Sequence, residues 1–237
     1  MMQGKWSKKP AIAKRRALDI VLLASLTLLL TTAQAFAVTV LPPTSHPLGK
    51  TYAQWSAKWW KWAGSIPLSS NPINDQTGQN CDLKQSGHVW YLAGTSGGTA
   101  ERTCTIPKRH FILLPTINIA DAELPANFNE AAIRSQLKSV MDHASNIELV
   151  VDGVPLKSYR VQSPVFKLTV PPDNFFNIST TSPTTAKAVS DGFWAMLPPL
   201  SVREHEIKLG GEIHCSSCLN GQPFDFTEHA IYHIAIK

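Results

Sequence analysis

The chain is short of charge. Acids and bases make up 16% of its 237 residues, well below the ~25% of an average globular domain. That argues against a disordered chain and against a binder held by charge alone. Long apolar runs are scarce too. The one candidate, Ile20–Leu30, is 11 residues long, where a membrane-spanning helix needs about 20. No G-x-S-x-G elbow, P-loop or H-E-x-x-H occurs, so the common signatures of α/β-hydrolases, nucleotide binders and zinc proteases are missing. Strand and helix patterns do not alternate, which excludes a doubly wound parallel sheet, and no repeat stands out. What remains is a chain with 43% hydrophobic residues, long enough for one domain and a buried core.

The formal net charge of +5 depends on where it sits. The segment before residue 38 carries Lys5, Lys8, Lys9, Lys14, Arg15 and Arg16 against one acid, Asp19; without it, 16 bases face 16 acids. A neutral body removes the basis for a nucleic-acid or anionic-membrane partner. The same segment has the layout of a secretory signal peptide: a basic stretch, the apolar run, then overlapping A-x-A sites at Ala33–Ala35 and Ala35–Ala37. Residues 1–37 are therefore expected to be clipped off, leaving Phe36 or Val38 as the new end. The body is expected in the periplasm or outside the cell, with no membrane span. No cysteine near the cleavage sites suggests a lipoprotein, and Arg15-Arg16 lacks an extended twin-arginine context.

All four cysteines, Cys81, Cys104, Cys215 and Cys218, lie beyond the leader. In an exported chain disulfides are the default. Four cysteines allow three pairings, of which Cys81–Cys104 with Cys215–Cys218 is preferred. The first would close a 24-residue loop, worth about 3.5 kcal/mol by chain entropy; the second closes a very small loop and adds less. His214-Cys215-Ser216-Ser217-Cys218 also admits two sharper readings. A thioredoxin-like pair needs a helix start at its first cysteine, but Leu-Asn-Gly-Gln-Pro follows Cys218. A structural zinc site needs four ligands, and there is no second C-x-x-C. A loop staple is preferred.

Residues 38–49 read as a proline-rich extended lead-in. Thr51 and Gln54 have the spacing of a capping box, which starts a helix that Gly64 and Pro67 stop. Tyr52, Trp55, Trp59 and Trp62 share one face of that helix, with Trp60 off the stripe. A second helix is expected over Glu130–Ala144. Strands are expected at 88–93, 102–106, 110–114, 147–151, 158–162, 165–170, 193–197, 205–209 and 229–236, with an Asp152-Gly153 turn. Residues 171–187 form a polar Ser/Thr/Pro loop with Phe175 and Phe176 embedded. The expected fold is mainly β: an antiparallel, jelly-roll-like β-sandwich of about eight strands with two peripheral helices, in a single domain over 50–237.

Six stretches carry a resemblance: YAQWSAKWWKWAGSIP (52–67), NPINDQTGQNC (71–81), QSGHVWYLAGTSGG (85–98), RTCTIP (102–107), YRVQSPVF (159–166) and AVSDGFWAMLPPL (188–200). Together they resemble a family of exported bacterial proteins with an N-terminal Y-x-x-W-x-x-x-W-W-x-W helix and a β-sandwich-like body. The similarity covers nearly the whole mature chain. It implies export, one domain and pairing of the first two cysteines, and it brings no reaction, substrate or catalytic residue. The Cys215/Cys218 pair lies outside its general pattern.

The remaining motifs are weighed against structural roles. Gly94-Thr95-Ser96-Gly97-Gly98 is similar to the serine context of chymotrypsin-like proteases, but the acidic residue before the serine is absent and no matching His and Asp contexts precede it; a glycine turn is the better reading. His229 and His233 lie on one face of their strand, and a sandwich can bring His205, with Glu206, and His214 near them. Imidazole suits zinc or copper, so His205, His229 and His233 are the metal candidates; hydrogen-bonded or solvated edge histidines are preferred, and no metal or other cofactor is expected. Asp152, Asp173 and Asp191 read as turn-formers. Asn177-Ile178-Ser179 matches a glycosylation sequon that a bacterial chain leaves idle. An exposed row of indoles would stack on sugar rings. Trp55, Trp59 and Trp62 are assigned to helix docking, leaving Trp60, Trp90 and Trp194 as candidate ligand-binding residues.

Three functions follow. The first is a non-enzymatic exported sandwich that binds a ligand, a glycan or a cell-envelope component through an aromatic or polar surface. The second is a structural or partner-binding domain. The third is a hydrolase, which requires at least two of His88, His110, His205, His229, His233 and the turn aspartates to converge in one pocket.

Overall fold

The computed structural model describes residues 38–237, together with Met1 and Gly4. The leader assigned to 1–37 otherwise lies outside the described residues. Two helices and ten strands follow one another: α1 (Tyr52–Gly64), β1 (Val89–Tyr91), β2 (Gly98–Ile106), β3 (Phe111–Glu123), α2 (Glu130–Met141), β4 (Ala144–Val151), β5 (Val154–Pro155), β6 (Tyr159–Gln162), β7 (Phe166–Val170), β8 (Thr184–Leu197), β9 (Glu204–Leu219) and β10 (Gln222–Ile236). The strands form two five-stranded sheets. The first has the order β1-β3-β8-β6, with β7 also on β8, and the second has the order β2-β10-β9-β4-β5. The mainly β, sandwich-like fold with two helices is the one expected. Each sheet adds a parallel pair to its antiparallel body, β1 on β3 and β2 on β10.

Three layers result. Ile112, Leu114, Ala195 and Leu197 of the first sheet meet Leu149, Ile207, Leu209, Ile234 and Ile236 of the second in a dry core. The opposite face of the first sheet carries Leu113, Trp194 and Met196 against the indoles of α1. The second helix packs Ile133 and Leu137 on Val189, and Val140 and Met141 on Ile117 and Ile213.

The capping box forms as expected. Gln54 N–H donates to Thr51 Oγ1 at 3.2 Å, and Thr51 N–H donates to Gln54 Oε1 at 3.0 Å. All four stripe aromatics of α1 are buried, and so is Trp60. The 171–187 loop explains the last: Phe175 and Phe176 fold onto the Trp60 ring.

The lead-in departs from its expected extended form. Residues 43–45 and 47–49 make two 3₁₀ turns around His46 in the left-handed region, as the closely spaced prolines favour. It is also sewn in. Leu41 N–H donates to Met196 O at 2.9 Å, and the Tyr52 hydroxyl donates to Leu41 O and accepts from Met196 N–H at 3.0 Å.

Strands run longer than periodicity suggested. β3 continues through Pro115, where the register to β8 shifts before Ile117, so the missing N–H sits at a bulge. Asp191 is not a turn residue: it lies buried within β8, where both carboxylate oxygens accept from the Arg160 guanidinium at 3.0 and 2.9 Å. Cys215–Cys218 is a disulfide, as is Cys81–Cys104. The small loop lies on the end of β9 and not in a free loop, because Asn220-Gly221, both at positive φ, make the two-residue turn into β10. Among the described residues, no helix is long and apolar enough to cross a membrane.

Candidate functional site

The parallel edge strands stop early. β1 pairs with β3 only from Phe111 to Leu113, and β2 pairs with β10 only from Glu228 onward. Beyond those points β3 and β10 have no paired strand on that side, which leaves a gap beside the Gly94-Thr95 loop. The gap is a pocket of about 150 Å³. Trp59, Gly94, Ile213 and Glu228 are its buried floor; Phe175, Phe224, Phe226 and the Asn118–Ala120 stretch are its half-buried rim.

Glu228 is the least expected residue in it. It is 3% exposed, and its Oε2 accepts the Thr95 N–H at 2.7 Å. Burial pushes its carboxyl up to about 8, with the Thr95 amide and the Arg102 charge pulling the other way. Near neutral pH it is therefore largely protonated and able to donate a hydrogen bond as well as accept one. Gly94 makes the seat possible: a Cβ there would collide with the Glu228 carboxyl.

Two wall residues carry donors with nothing to bond. Trp60 Nε1 and Asn118 Nδ2 are buried without a hydrogen-bond partner. The contrast within α1 is informative. Trp55 donates to Pro47 O at 2.9 Å, Trp59 to Leu92 O at 2.8 Å and Trp62 to Leu83 O at 2.8 Å. These three are the structural indoles. A buried unpaired donor costs about 1–3 kcal/mol, and Trp60 and Asn118 each carry one on a residue that lines the pocket.

The other candidates separate. Trp60, Trp90 and Trp194 are 3%, 7% and 0% exposed, so they do not make a surface platform for sugar rings. Trp90 lies between the sheets and Trp194 lies under α1, edge-on to Trp59. Their Nε1 atoms are also without partners, for which the fold offers no explanation. Trp60 alone of the three lines the pocket.

The histidines do not converge. His233 pairs with Glu101 at 2.7 Å and His229 lies 3.9 Å from Glu148, both on the outer face of the second sheet. His205 is buried on the opposite face, so His205, His229 and His233 form no metal cluster. His110 is pinned between Pro107 O and Gly87 O. Asp173 caps a turn through the Ser69 N–H.

One arrangement imitates a hydrolase. His205 Nδ1 lies 2.8 Å from Asp152 Oδ2, and its Nε2 lies 3.3 Å from Ser201 Oγ. The same Nε2 is closer to the Ser201 carbonyl, at 2.9 Å. A carbonyl only accepts, so Nε2 carries a proton and does not serve as a base toward the hydroxyl. Burial raises the Asp152 carboxyl, but hydrogen bonds from His205, the Glu206 N–H and Arg203 outweigh it and hold the group below its ordinary range. The cluster is a clasp between the β4–β5 turn and the start of β9.

Sequence reasoning missed Glu228. A usable signal exists: Glu228 has the parity of Ala230, Tyr232, Ile234 and Ile236, all buried. Carrying the β10 alternation two residues back places a carboxyl on the core face.

No family model matches this chain, and no curated protein matches it. Among solved structures, it is similar to the cysteine protease inhibitor EhICP2 from Entamoeba histolytica at 12% identity and a TM-score of 0.25, covering 64% of this chain and 100% of that one. The solution structure of Amebosin aligns at 12% identity and a TM-score of 0.16, with 64% and 100% coverage. Overlaps this small establish neither fold kinship nor function.

Proposed function

We propose that this chain is an exported, non-enzymatic binding protein that takes one small, mainly apolar molecule bearing a hydrogen-bond acceptor. The observation that carries this reading is the pairing of unmet donors on Trp60 and Asn118 with the buried Glu228 carboxyl in a wall otherwise built from Phe175, Phe224, Phe226 and Ile213. Apolar pockets with a few placed polar groups are the usual form of small-molecule sites. A volume of about 150 Å³ suits a ligand of about benzene size, such as a short-chain or aromatic acid, aldehyde or ketone. It is too small and too apolar for an oligosaccharide. Export is supported by the leader layout of residues 1–37 and by the two disulfides. Membership of the exported bacterial family rests on the six stretches named above.

A thermal-shift screen of small carbonyl compounds tests the reading. At 100 times Kd a true ligand raises the Tm by roughly 5–10 °C. Ala120→Trp fills the rim and Gly94→Ala displaces the Glu228 carboxyl, and each should abolish the shift. Silence across this compound class, or a shift that survives Ala120→Trp undiminished, would overturn the proposal.

A further inference from the structure

Beside the pocket, two residues along β9 from Ile213 and opposite Phe224, the C-terminal end of α2 meets the end of β9. One ligand atom each from His143, Cys215 and Cys218 lies within 4.8 Å of the other two. Sequence spacing shows the two cysteines; only the fold brings the histidine, 72 residues upstream of Cys215. Val140 and Met141 pack on Cys215 and Cys218 in one cluster, so the approach is built into the core and does not depend on loose side chains.

We propose that the reduced form of this protein binds a thiophilic d¹⁰ metal ion, Zn²⁺ or Cu⁺, through Cys215 Sγ, Cys218 Sγ and the His143 imidazole. Disulfide and metal are alternative cross-links of the same place. Four features support it. His143 Nδ1 lies 2.8 Å from Ser139 O; a carbonyl only accepts, so Nδ1 carries the proton and Nε2 keeps a lone pair, the arrangement of a ligating histidine. The Cys218 N–H lies 2.9 Å from Cys215 Sγ and favours a thiolate there once the disulfide opens. The C-terminal end of a 12-residue helix lies beside the site and favours a cation. Bond lengths of about 2.3 Å to sulfur and 2.0 Å to nitrogen space the three tetrahedral ligand atoms about 3.5–3.8 Å apart, a range that rotamer changes reach from the 4.8 Å within which they already lie. Two thiolates and one imidazole leave a fourth position open, as in the Cys₂His class of zinc site.

The chemistry balances with a dithiol reductant. The Cys215–Cys218 bond takes two electrons and two protons from an external dithiol, which leaves as its own disulfide. A metal ion then replaces the two thiol protons, which pass to solvent.

The test is a metal titration of the purified protein, oxidised and after anaerobic dithiol treatment, with a competing chromophoric chelator. Thiol counting before titration verifies that the pair has opened. The comparison is with Cys215→Ser/Cys218→Ser, which retains Cys81 and Cys104 and so subtracts their contribution. The reduced protein is expected to bind one more equivalent of Zn²⁺ or Cu⁺ than the double serine variant. His143→Ala should weaken that binding at least tenfold while far-UV circular dichroism stays unchanged, and the oxidised protein should not bind. No excess uptake of either ion, or an affinity indifferent to His143→Ala, would overturn the assignment.

Discussion

Two buried polar groups stand near the same loop and differ in one respect. Arg102, on β2, is 1% exposed, and every nitrogen of its guanidinium has an acceptor. Nε donates to Asp75 O, Nη1 to Ala93 O, Gly94 O and the Tyr232 hydroxyl, and Nη2 to Ile73 O. Glu228, on β10, receives the Thr95 amide and lines the same pocket as Trp60 and Asn118, whose donors are unmet. A side chain that organises a fold uses its hydrogen-bonding capacity within the fold; one that serves a ligand leaves capacity over. The two are also coupled. By holding Ala93 O and Gly94 O, Arg102 fixes the backbone against which the Glu228 carboxyl is seated.

The largest effect should come from emptying the Arg102 centre. Arg102→Leu takes the guanidinium donors from the buried carbonyls of Ile73, Asp75 and Gly94, while the Tyr232 hydroxyl keeps the Ala93 N–H, and is expected to cost about 3–5 kcal/mol, measured as the shift in urea midpoint at constant slope. A loss below about 1 kcal/mol would break the contrast, because Arg102 would then be no more critical than a pocket residue.

A middle-sized effect should appear on the other side. The Glu228 carboxyl has an ordinary value of 4.5 and is pushed up to about 8 in the fold. Between those values the unfolded chain sheds the proton that the folded chain keeps, so stability falls as pH rises from about 4.5 to about 8 and then levels. Glu228→Gln should remove that slope, gaining stability over the wild type at pH 8 with a Tm difference upward of about 5 °C. Parallel Tm curves for the two proteins across this range would mean that Glu228 is ionised in the fold.

The smallest effect sharpens the comparison most. Trp60→Phe deletes an unpaired donor and trims a buried ring, so relief of the one offsets packing lost with the other and stability should change by less than about 1 kcal/mol. Affinity for any ligand found in the screen should drop about five- to tenfold. Trp59→Phe, which strands Leu92 O, should do the reverse, lowering stability first.

Much of this architecture was legible. Thr51, Gln54 and the indole period placed α1 to within a residue, the Asp152-Gly153 turn fell where its residue types put it, and both disulfides match the preferred pairing. Strand ends were not legible, because Pro115 and the Gly210-Gly211 pair read locally as breakers. In the fold Pro115 sits at a bulge, and a Cβ at Gly211 would press on Ile117, so the glycine allows two sheets to approach and does not end a strand. The site was less legible still. Its floor joins residues 59, 94, 213 and 228, which only the tertiary fold brings together, and the burial of Trp60 depends on a loop whose polar composition conceals Phe175 and Phe176. His143 carries no sequence signal as a neighbour of the cysteines.

The Tyr52 hydroxyl has one more consequence. It stands as a rung between Leu41 O and Met196 N–H, while Trp55 reaches back to Pro47 O, so a helix side chain splices the lead-in to the sheet. Undocking α1 tears out that rung, and peeling away residues 38–49 strips α1 of two acceptors. Local opening must therefore release both pieces as one cooperative unit, and that foldon reaches back at least to Leu41 and does not begin at the start of the helix.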